Sequence, residues 1–572
     1  MRTPSQQTQY DVVVVGLGPT GLTMATLLGR RGLSVLVLER EPEFYGMARA
    51  VYTDDEALRV FQTAGVADEI HADMNVDSAV QWIKADGTLL VQFRQSQRPL
   101  SWPVTNFLYQ PYLENRLEEL LARYPHVEVR RGREVVSFAQ DNDGVTVVHA
   151  GSTGSGYGTR AAVIEEATES VRASFLVGAD GGRSVVRTSL GIDMTGKSYP
   201  ERWLVVDLAA KDGVDAFRHL PYFDFVCDPD MPTVSCPQPR GHHRFEFALE
   251  DDDDKDEFES DETVRHLMAR YVDPDEVVVI RRLVYTFNAV VADRWREGRI
   301  LLAGDAAHMT PQFIGQGMNA GVRDADNLSW KLQAILEHGA DLKILDSYEA
   351  ERRPHAKAMI DLSVFNKSLV SVKNPTIARA RDAALWTALR TPGVGAWVRR
   401  AGMKPKPRFR KGAYVGMPRR VRGIEGTLAP QPLVRRYDGR PVRLDDALGI
   451  GWSVIGIGTD PREALGADLA TWSRVEPSYA TLYDFGARPQ GAPGDGRRRA
   501  GLVDLEDNSG SFVRWLRRHG VRQGAVVVLR PDKFVFGTSG SDTTALTQAL
   551  VAQLGLAPSA GVPTPRELAQ VG

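Results

Sequence analysis

An acid, a histidine, a proline and several glycines crowd the stretch LLAGDAAHMTPQFIGQGMNAG, from Leu301 to Gly321. The apolar run Ile300 to Ala303 predicts a buried strand that breaks at Gly304. Beyond it Ala325, Leu328, Leu332 and Ile335 fall at helical core spacing. Between that strand and that helix, Asp305, His308, Pro311, Gly315 and Gly317 put more bond-forming and flexible residues than a plain connection needs. ASFLVGADGGRSVVRTSL, from Ala173 to Leu190, repeats the form. A strand at Ser174 to Val177 runs into Asp180 among small residues, then Arg183, then a helix with Arg187. His308 has a plainer reading, preferred here, as a strand-end residue hydrogen-bonded to backbone.

A third stretch supplies a recognisable ligand geometry. In YDVVVVGLGPTGLTMATLLGRRGLSVLVLER, Val12 to Val15 read as a strand buried on both faces. Gly16, Gly18 and Gly21 then make G-x-G-x-x-G, with Pro19 and Thr20 opening a helix that ends near Gly32. Gly16 permits the tight turn, Gly18 lets backbone N–H groups approach a pyrophosphate, and Gly21 lets helix and strand pack closely. A second strand, Ser34 to Leu38, delivers Glu39 and Arg40 about 20 residues further on, where a carboxylate can accept ribose hydroxyls. These residues predict a dinucleotide site and leave NAD and FAD both open. The later cluster GSTGSGYGTR, Gly151 to Arg160, precedes no apolar helix and reads as a flexible hairpin loop, so no second fingerprint is found.

With 572 residues the chain is too long for one core, and two or three domains are expected. Seventy basic against 73 acidic residues leave a net charge of -3, which gives no reason to expect nucleic acid or an anionic membrane as partner. No apolar run is long enough to span a bilayer, and Val12 to Leu28 is too broken by glycine to be a leader. Cys227 and Cys236 have no metal-ligand spacing, so neither a metal site nor a disulfide framework is expected, and a reducing cytoplasm fits.

Taken together, the three motifs in this order resemble the class A FAD-dependent aromatic hydroxylases, the p-hydroxybenzoate and phenol hydroxylase family. The stretches AVYTDDEALRVFQ, RFEF, VYTFNA and ERRPHAKAMIDLS bring the chain nearest to the 3-(3-hydroxyphenyl)propionate hydroxylases within it. The resemblance implies FAD with its ADP part on Gly16 to Gly21 and Glu39, and with Asp305 at the ribityl and pyrophosphate. It also implies Arg49 along the diphosphate, Gln110 near the ribityl chain and Asp180 between the flavin and NAD(P)H. Pro311 would lie beside the ring, and Gly315, Gly317, Met318 and Asn319 around its pyrimidine edge and the following helix. Gln312 stands where the family usually has a second proline. The implied reaction uses NADH or NADPH and O2 to hydroxylate a phenolic acid ortho to its hydroxyl. In the family the nicotinamide meets a flavin that swings outward. The alternative is a monooxygenase of a larger polyketide or antibiotic phenol.

The expected architecture is α/β: a Rossmann-like FAD-binding domain with an inserted mixed β-sheet substrate domain, and a C-terminal thioredoxin-like domain. The FAD domain is expected over 1–400, with the inserted sheet at about 76–105 and 191–290, a linker at 401–430 and the tail at 431–572. Tyr222, Tyr285 and Arg244 on the middle sheet, and Gln312, are the candidates for taking the phenol proton or holding the substrate carboxylate. The acidic run EDDDDKDEF reads as a solvated loop, Ser347 to Ser363 as a charged surface helix, and KPKPRFRKGAYVGMPRR as a linker. No cysteine follows Cys236, so the tail cannot do dithiol chemistry. A structural role for it, in a homodimer, is expected.

Overall fold

The structure is a computed structural model that describes residues 9–44, 46, 49–154, 163–250, 255–415, 423–489, 501–540 and 542–556. The chain forms two compact units. The first comprises Met1–Arg98, Trp102–Ala325 and Ala356–Pro405; the second Pro99–Ser101, Asp326–His355 and Lys406–Gly572.

The first unit holds two large sheets. Val12, Val13 and Val14 are fully buried because the strand Gln9–Val15 lies between Val163–Gly178 and Val35–Glu39, parallel to both. Val127–Arg131 and Ile300–Leu302 extend this parallel core outward on either side. All three chemistry-bearing turns therefore leave neighbouring strands at the same sheet edge, the placement a parallel α/β sheet gives its ligands. Strand Val163–Gly178 is longer than its apolar core because its first part pairs antiparallel with Val145–Ser152. Gly151 and Ser152, expected in a loop, instead end the strand Val145–Ser152, paired with Ile164 and Val163; 155–160 of that stretch lie outside the described residues. Of the acidic run, 251–254 also lie outside them, and Lys255–Phe258 forms a short helix rather than the expected loop.

The second sheet is mixed. Its order is His308–Met309, Val277–Ala292, Met194–Ala210, His242–Ala248, Thr233–Pro237, Phe223–Val226, Val80–Ile83 and Leu89–Phe93. Period-two alternation sorts its residues. Phe245 and Phe247 face one way, with Leu204, Val206 and the helix Asp261–Met268. Trp203, Phe223, Phe225, Cys236 and Phe287 pack on the other side with Phe313.

The second unit has a seven-stranded sheet with Ser453–Ile457, Ser478–Tyr483 and Leu502–Asp507 parallel at its centre. It corrects two expectations. Ser347 to Ser363 does lie in one helix, Asp346–Val370, yet Glu351 and Arg352 are each 2% exposed. Glu351 does not pair along its own helix; it accepts hydrogen bonds from Arg530 at 2.6 and 2.9 Å and from Lys331 at 2.9 Å. The described part of the expected linker is packed, with Phe409, Ala413 and Tyr414 buried, although the boundary between the two units does fall in it, at Pro405 and Lys406. Basic composition misleads there because three apolar side chains suffice to anchor a short segment.

Candidate active site

The cavity of the first unit has a volume of about 1430 Å³ and is lined by all three motifs and by the mixed sheet. At its first end, Gly16 turns the chain with φ +97°, and a Cβ there would meet Ala179 O at 2.5 Å. The helix Pro19–Arg30 begins at Gly18 without a side-chain cap, so its first N–H groups remain for a ligand. Gly18 has nothing within 4 Å of a would-be Cβ, which leaves an open cradle. Glu39 Oε2 accepts the Leu17 N–H at 2.6 Å and Oε1 the Glu41 N–H at 2.9 Å. Each oxygen keeps a lone pair for a ribose hydroxyl.

Several predicted residues act on the frame as much as on the cavity. Gln110 Oε1 accepts the N–H groups of Arg49 and Ala50 at 2.8 and 2.5 Å, so it shapes the Arg49 turn. Asp180 accepts from Ser184 Oγ at 2.6 Å and from the Val186 N–H at 3.1 Å, which starts the helix Val185–Ser189; burial raises its carboxyl above the usual range. Arg187 donates to Gly182 O and Ala306 O at 2.8 and 3.1 Å, tying the second motif to the third. Thr20 fits between Gly304 and Gly321, where added Cβ atoms would meet its Oγ1 at 2.5 and 2.1 Å. Asp305 lines the cavity and burial raises its carboxyl, opposed by Arg49 and His308.

The third motif ends in a short 3-10 turn, Gln312–Ile314, and the helix Gly317–Leu336. The Gly315 N–H closes that turn on Gln312 O at 2.8 Å and so is not offered to a ligand ring as expected; Gly317 and Met318, which line the cavity in the first turn of the helix, can offer theirs. Gly16, Gly18, Pro19, Thr20, Glu39, Arg40, Arg49, Gln110, Asp180, Asp305, Gly315, Gly317 and Met318 all border the cavity. Gly21, Gly304, Pro311 and Asn319 stand behind it. Gly21 packs on Gly16 O, and Asn319 holds the loop through Gly315 O at 2.8 Å and Thr53 Oγ1 at 2.8 Å. His308 Nε2 donates to Asp324 Oδ2 at 2.6 Å under Trp295, a side-chain partner rather than the expected backbone one.

On the sheet side, Phe223, Phe225, Phe287 and Phe313 make an aromatic wall with Tyr285, whose hydroxyl lies 3.5 Å from Gln312 Oε1. Arg244 is buried; it donates to Asp207 at 2.6 Å and to Arg49 O at 2.6 Å. Tyr222 lies outside the lining and is 39% exposed, because it precedes the strand Phe223–Val226.

Residues that the sequence reading passed over also meet here. Glu246 joins Arg244 on the lining. The alternation in RFEF gave the signal, since two phenylalanines facing one core turn Arg244 and Glu246 to the other face. Lys404 lines the cavity and pairs with Asp54 at 2.9 Å and Glu56 at 3.3 Å, and Arg323 pairs with the same two acids. Burial would raise the Asp54 carboxyl, but Arg323 and Lys404 outweigh it and hold it far below the usual range. No local pattern announces this cluster, because its members come from three distant segments.

The open Gly18 cradle, the oriented Glu39 and the ring-sized end at Gly317 fit a dinucleotide whose second base is a flat, reactive ring. The family model described as an FAD binding domain matches residues 9–363, and one described as the HcaD C-terminal domain matches 426–553. The 3-(3-hydroxy-phenyl)propionate/3-hydroxycinnamic acid hydroxylase 2 of Burkholderia vietnamiensis is 38% identical over 531 residues, 92% of this chain and 93% of that one. The 3-(3-hydroxy-phenyl)propionate/3-hydroxycinnamic acid hydroxylase of Mycobacterium avium is 36% identical over 97% of this chain and 93% of its own length. Among solved structures, aklavinone-11 hydroxylase with FAD and aklavinone superposes with a TM-score of 0.76 at 25% identity, covering 97% of this chain and 100% of that one. The chain belongs to the FAD-binding family of aromatic hydroxylases. It is an FAD-dependent monooxygenase, and NAD(P)H is the co-substrate typical of that family.

Proposed function

We propose that this hydroxylase acts on a phenol bearing a short carboxylate side chain, 3-(3-hydroxyphenyl)propionate and its 3-hydroxycinnamate analogue, and adds oxygen ortho to the hydroxyl. The observation that carries this reading is the match to relatives so named over more than nine-tenths of both chains. The cavity supports it: an aromatic wall for a ring, and charged groups beside that wall.

FAD, when bound, takes reducing equivalents from NAD(P)H and activates O2. The chain's residues do the rest. Gly16, Gly18, Glu39, Arg49 and Asp305 would hold the dinucleotide, with Gly317 and Met318 at its ring. The phenylalanine wall excludes water from the reacting ring. Tyr285 and Gln312 orient the phenol hydroxyl and polarise its O–H bond, which makes the ring a better nucleophile. We propose further that the enzyme works in the cytoplasm as a homodimer. No helix among the described residues is long and apolar enough to cross a membrane. Trp386 and Trp397, 58% and 49% exposed, offer apolar surface for self-association. Light scattering of the purified protein reads the oligomer directly.

The functional test is NADH oxidation with and without 3-(3-hydroxyphenyl)propionate, with the product weighed by mass spectrometry. Stimulation with a gain of one oxygen atom is expected. Stimulation without that gain would make the compound an effector only, and no stimulation would remove the substrate assignment.

A further inference from the structure

Glu246 is 3% exposed and sits on the cavity-facing side of the strand His242–Ala248. Its Oε2 has no hydrogen-bond partner, and its Oε1 is 4.0 Å from Arg244 Nη1. Glu246 lines the cavity, and a buried carboxyl with one oxygen left unpaired is costly unless a ligand there bonds to it. We propose that Glu246 selects the carboxylate on the substrate's side chain, donating a hydrogen bond to it from its protonated carboxyl. This rests on the proposed phenolic-acid substrate and names the group that reads the acid.

The sheet order sets the distance. Tyr285, beside Gln312, is on Val277–Ala292, and Glu246 is two strands away across Met194–Ala210, where Val205 opposes both Glu246 and Leu283. Two strand spacings are about 10 Å, and Tyr285 lies two residues beyond Leu283, about 7 Å further along, so the two backbone positions are about 12 Å apart. The ring hydroxyl and far carboxylate of a phenylpropionate, with a hydrogen bond added at each end, span a comparable distance. A substrate with its hydroxyl at Tyr285 and Gln312 therefore brings its carboxylate to Glu246.

Charge points the same way. The groups facing Glu246 are Arg244 on its own strand, Asp207 on Met194–Ala210, Arg281 and Tyr285 on Val277–Ala292, and Cys236 on Thr233–Pro237. Arg244 and Arg281 both donate to Asp207, at 2.6 and 2.9 Å. Two guanidinium groups and one carboxylate leave a single positive charge while Glu246 is neutral, and an anionic substrate cancels it. Burial pushes the Glu246 carboxyl up to about 7, with Arg244 and Arg281 opposing and Asp207 adding. Ionised Glu246 would repel the substrate, so the KM for an acid should climb as pH rises above about 7.

The test uses FAD-loaded enzyme and two probes, 3-(3-hydroxyphenyl)propionate and the neutral 3-(3-hydroxyphenyl)propan-1-ol. The readout is the ratio of their KM values between about pH 6 and pH 9, the range that brackets the Glu246 transition. In the wild type the ratio should rise toward 10-fold per pH unit, the single-proton limit, above the transition. Glu246→Leu should raise the ratio about 10-fold at low pH, the loss of one hydrogen bond to a charged group. Glu246→Gln keeps a donor and cannot ionise, so its ratio should stay low and flat throughout. Bound-flavin absorbance checks that each variant is loaded, and Glu246→Gln carries the test if Glu246→Leu is not. A ratio that Glu246→Leu leaves unchanged, or a rise with pH that Glu246→Gln retains, overturns the role of Glu246 while the substrate reading stands. An enzyme that hydroxylates neither probe overturns both.

Discussion

Two glycines three residues apart should respond to alanine in opposite ways. Gly18 has φ −74° and ψ −178°, which alanine adopts without strain, and its Cβ would touch nothing within 4 Å. Gly18→Ala should therefore leave the deflavinated protein within about 1 kcal/mol of the wild type, the gain from a less flexible unfolded chain being offset by alanine's poorer fit at a helix N-cap. The methyl group instead intrudes where a pyrophosphate must approach the backbone. FAD affinity should fall at least about 10-fold, or ~1.4 kcal/mol. At Gly21 the Cβ would lie 1.9 Å from Gly16 O. An ordinary carbon–oxygen contact is about 3.3 Å, so the carbonyl must retreat by more than an ångström. Overpacking of that kind costs about 1–3 kcal/mol, which outweighs the ~1 kcal/mol that alanine gains over glycine in a helix. Thermal unfolding of the deflavinated proteins, with flavin fluorescence titration for affinity, separates the cases. The reasoning fails if Gly18→Ala binds FAD like the wild type, or if its flavin-free form melts as low as Gly21→Ala.

Three other perturbations follow from buried charge and the cavity wall. Arg323→Met strips a partner from Asp54 and Glu56, which stay buried, and should cost about 3–5 kcal/mol in urea unfolding; a loss under 1 kcal/mol would mean Lys404 alone suffices. Burial lifts the Glu114 carboxyl to about 7 in the folded protein, opposed by the hydrogen bond from Gln110. The folded state then binds more protons than the unfolded one between the ordinary glutamate range and about 7, so this group's contribution to stability falls as pH rises through that window. Glu114→Gln, which still accepts from Gln110, should be more stable than the wild type near pH 8, with the gain vanishing toward pH 4.5; equal stability at both ends would remove the effect. Tyr285→Phe should retain FAD yet lower kcat/KM for the phenolic acid by about 10-fold or more, within the range for a positioned proton-handling group; an unchanged value would pass that role to Gln312.

Contiguous pattern determined the most. The buried valines at Val12 to Val14, the spacing of Gly16, Gly18 and Gly21, and the acid at Glu39 are local, and local sequence decides a strand–turn–helix unit almost by itself. The same holds for Asp180 and Asp305, each written directly after an apolar strand. From these came a dinucleotide site, and with the family resemblance, FAD and hydroxylation. Tertiary structure decided what side-chain partnership requires. Glu351 looked like a member of a surface ladder until Arg530, 179 residues away, was found against it. Lys404 sat in an apparent linker until it met Asp54, 350 residues back. Tyr222 was a plausible pocket residue until the strand beginning at Phe223 left it outside. Glu246 had the right alternation to face inward, but only the packed sheet showed that the inward face is a cavity and that one carboxyl oxygen lacks a partner. A chain states which face of a strand a residue takes, because side-chain alternation is local. It does not state what stands opposite that face, because that depends on segments hundreds of residues away folding to the same place.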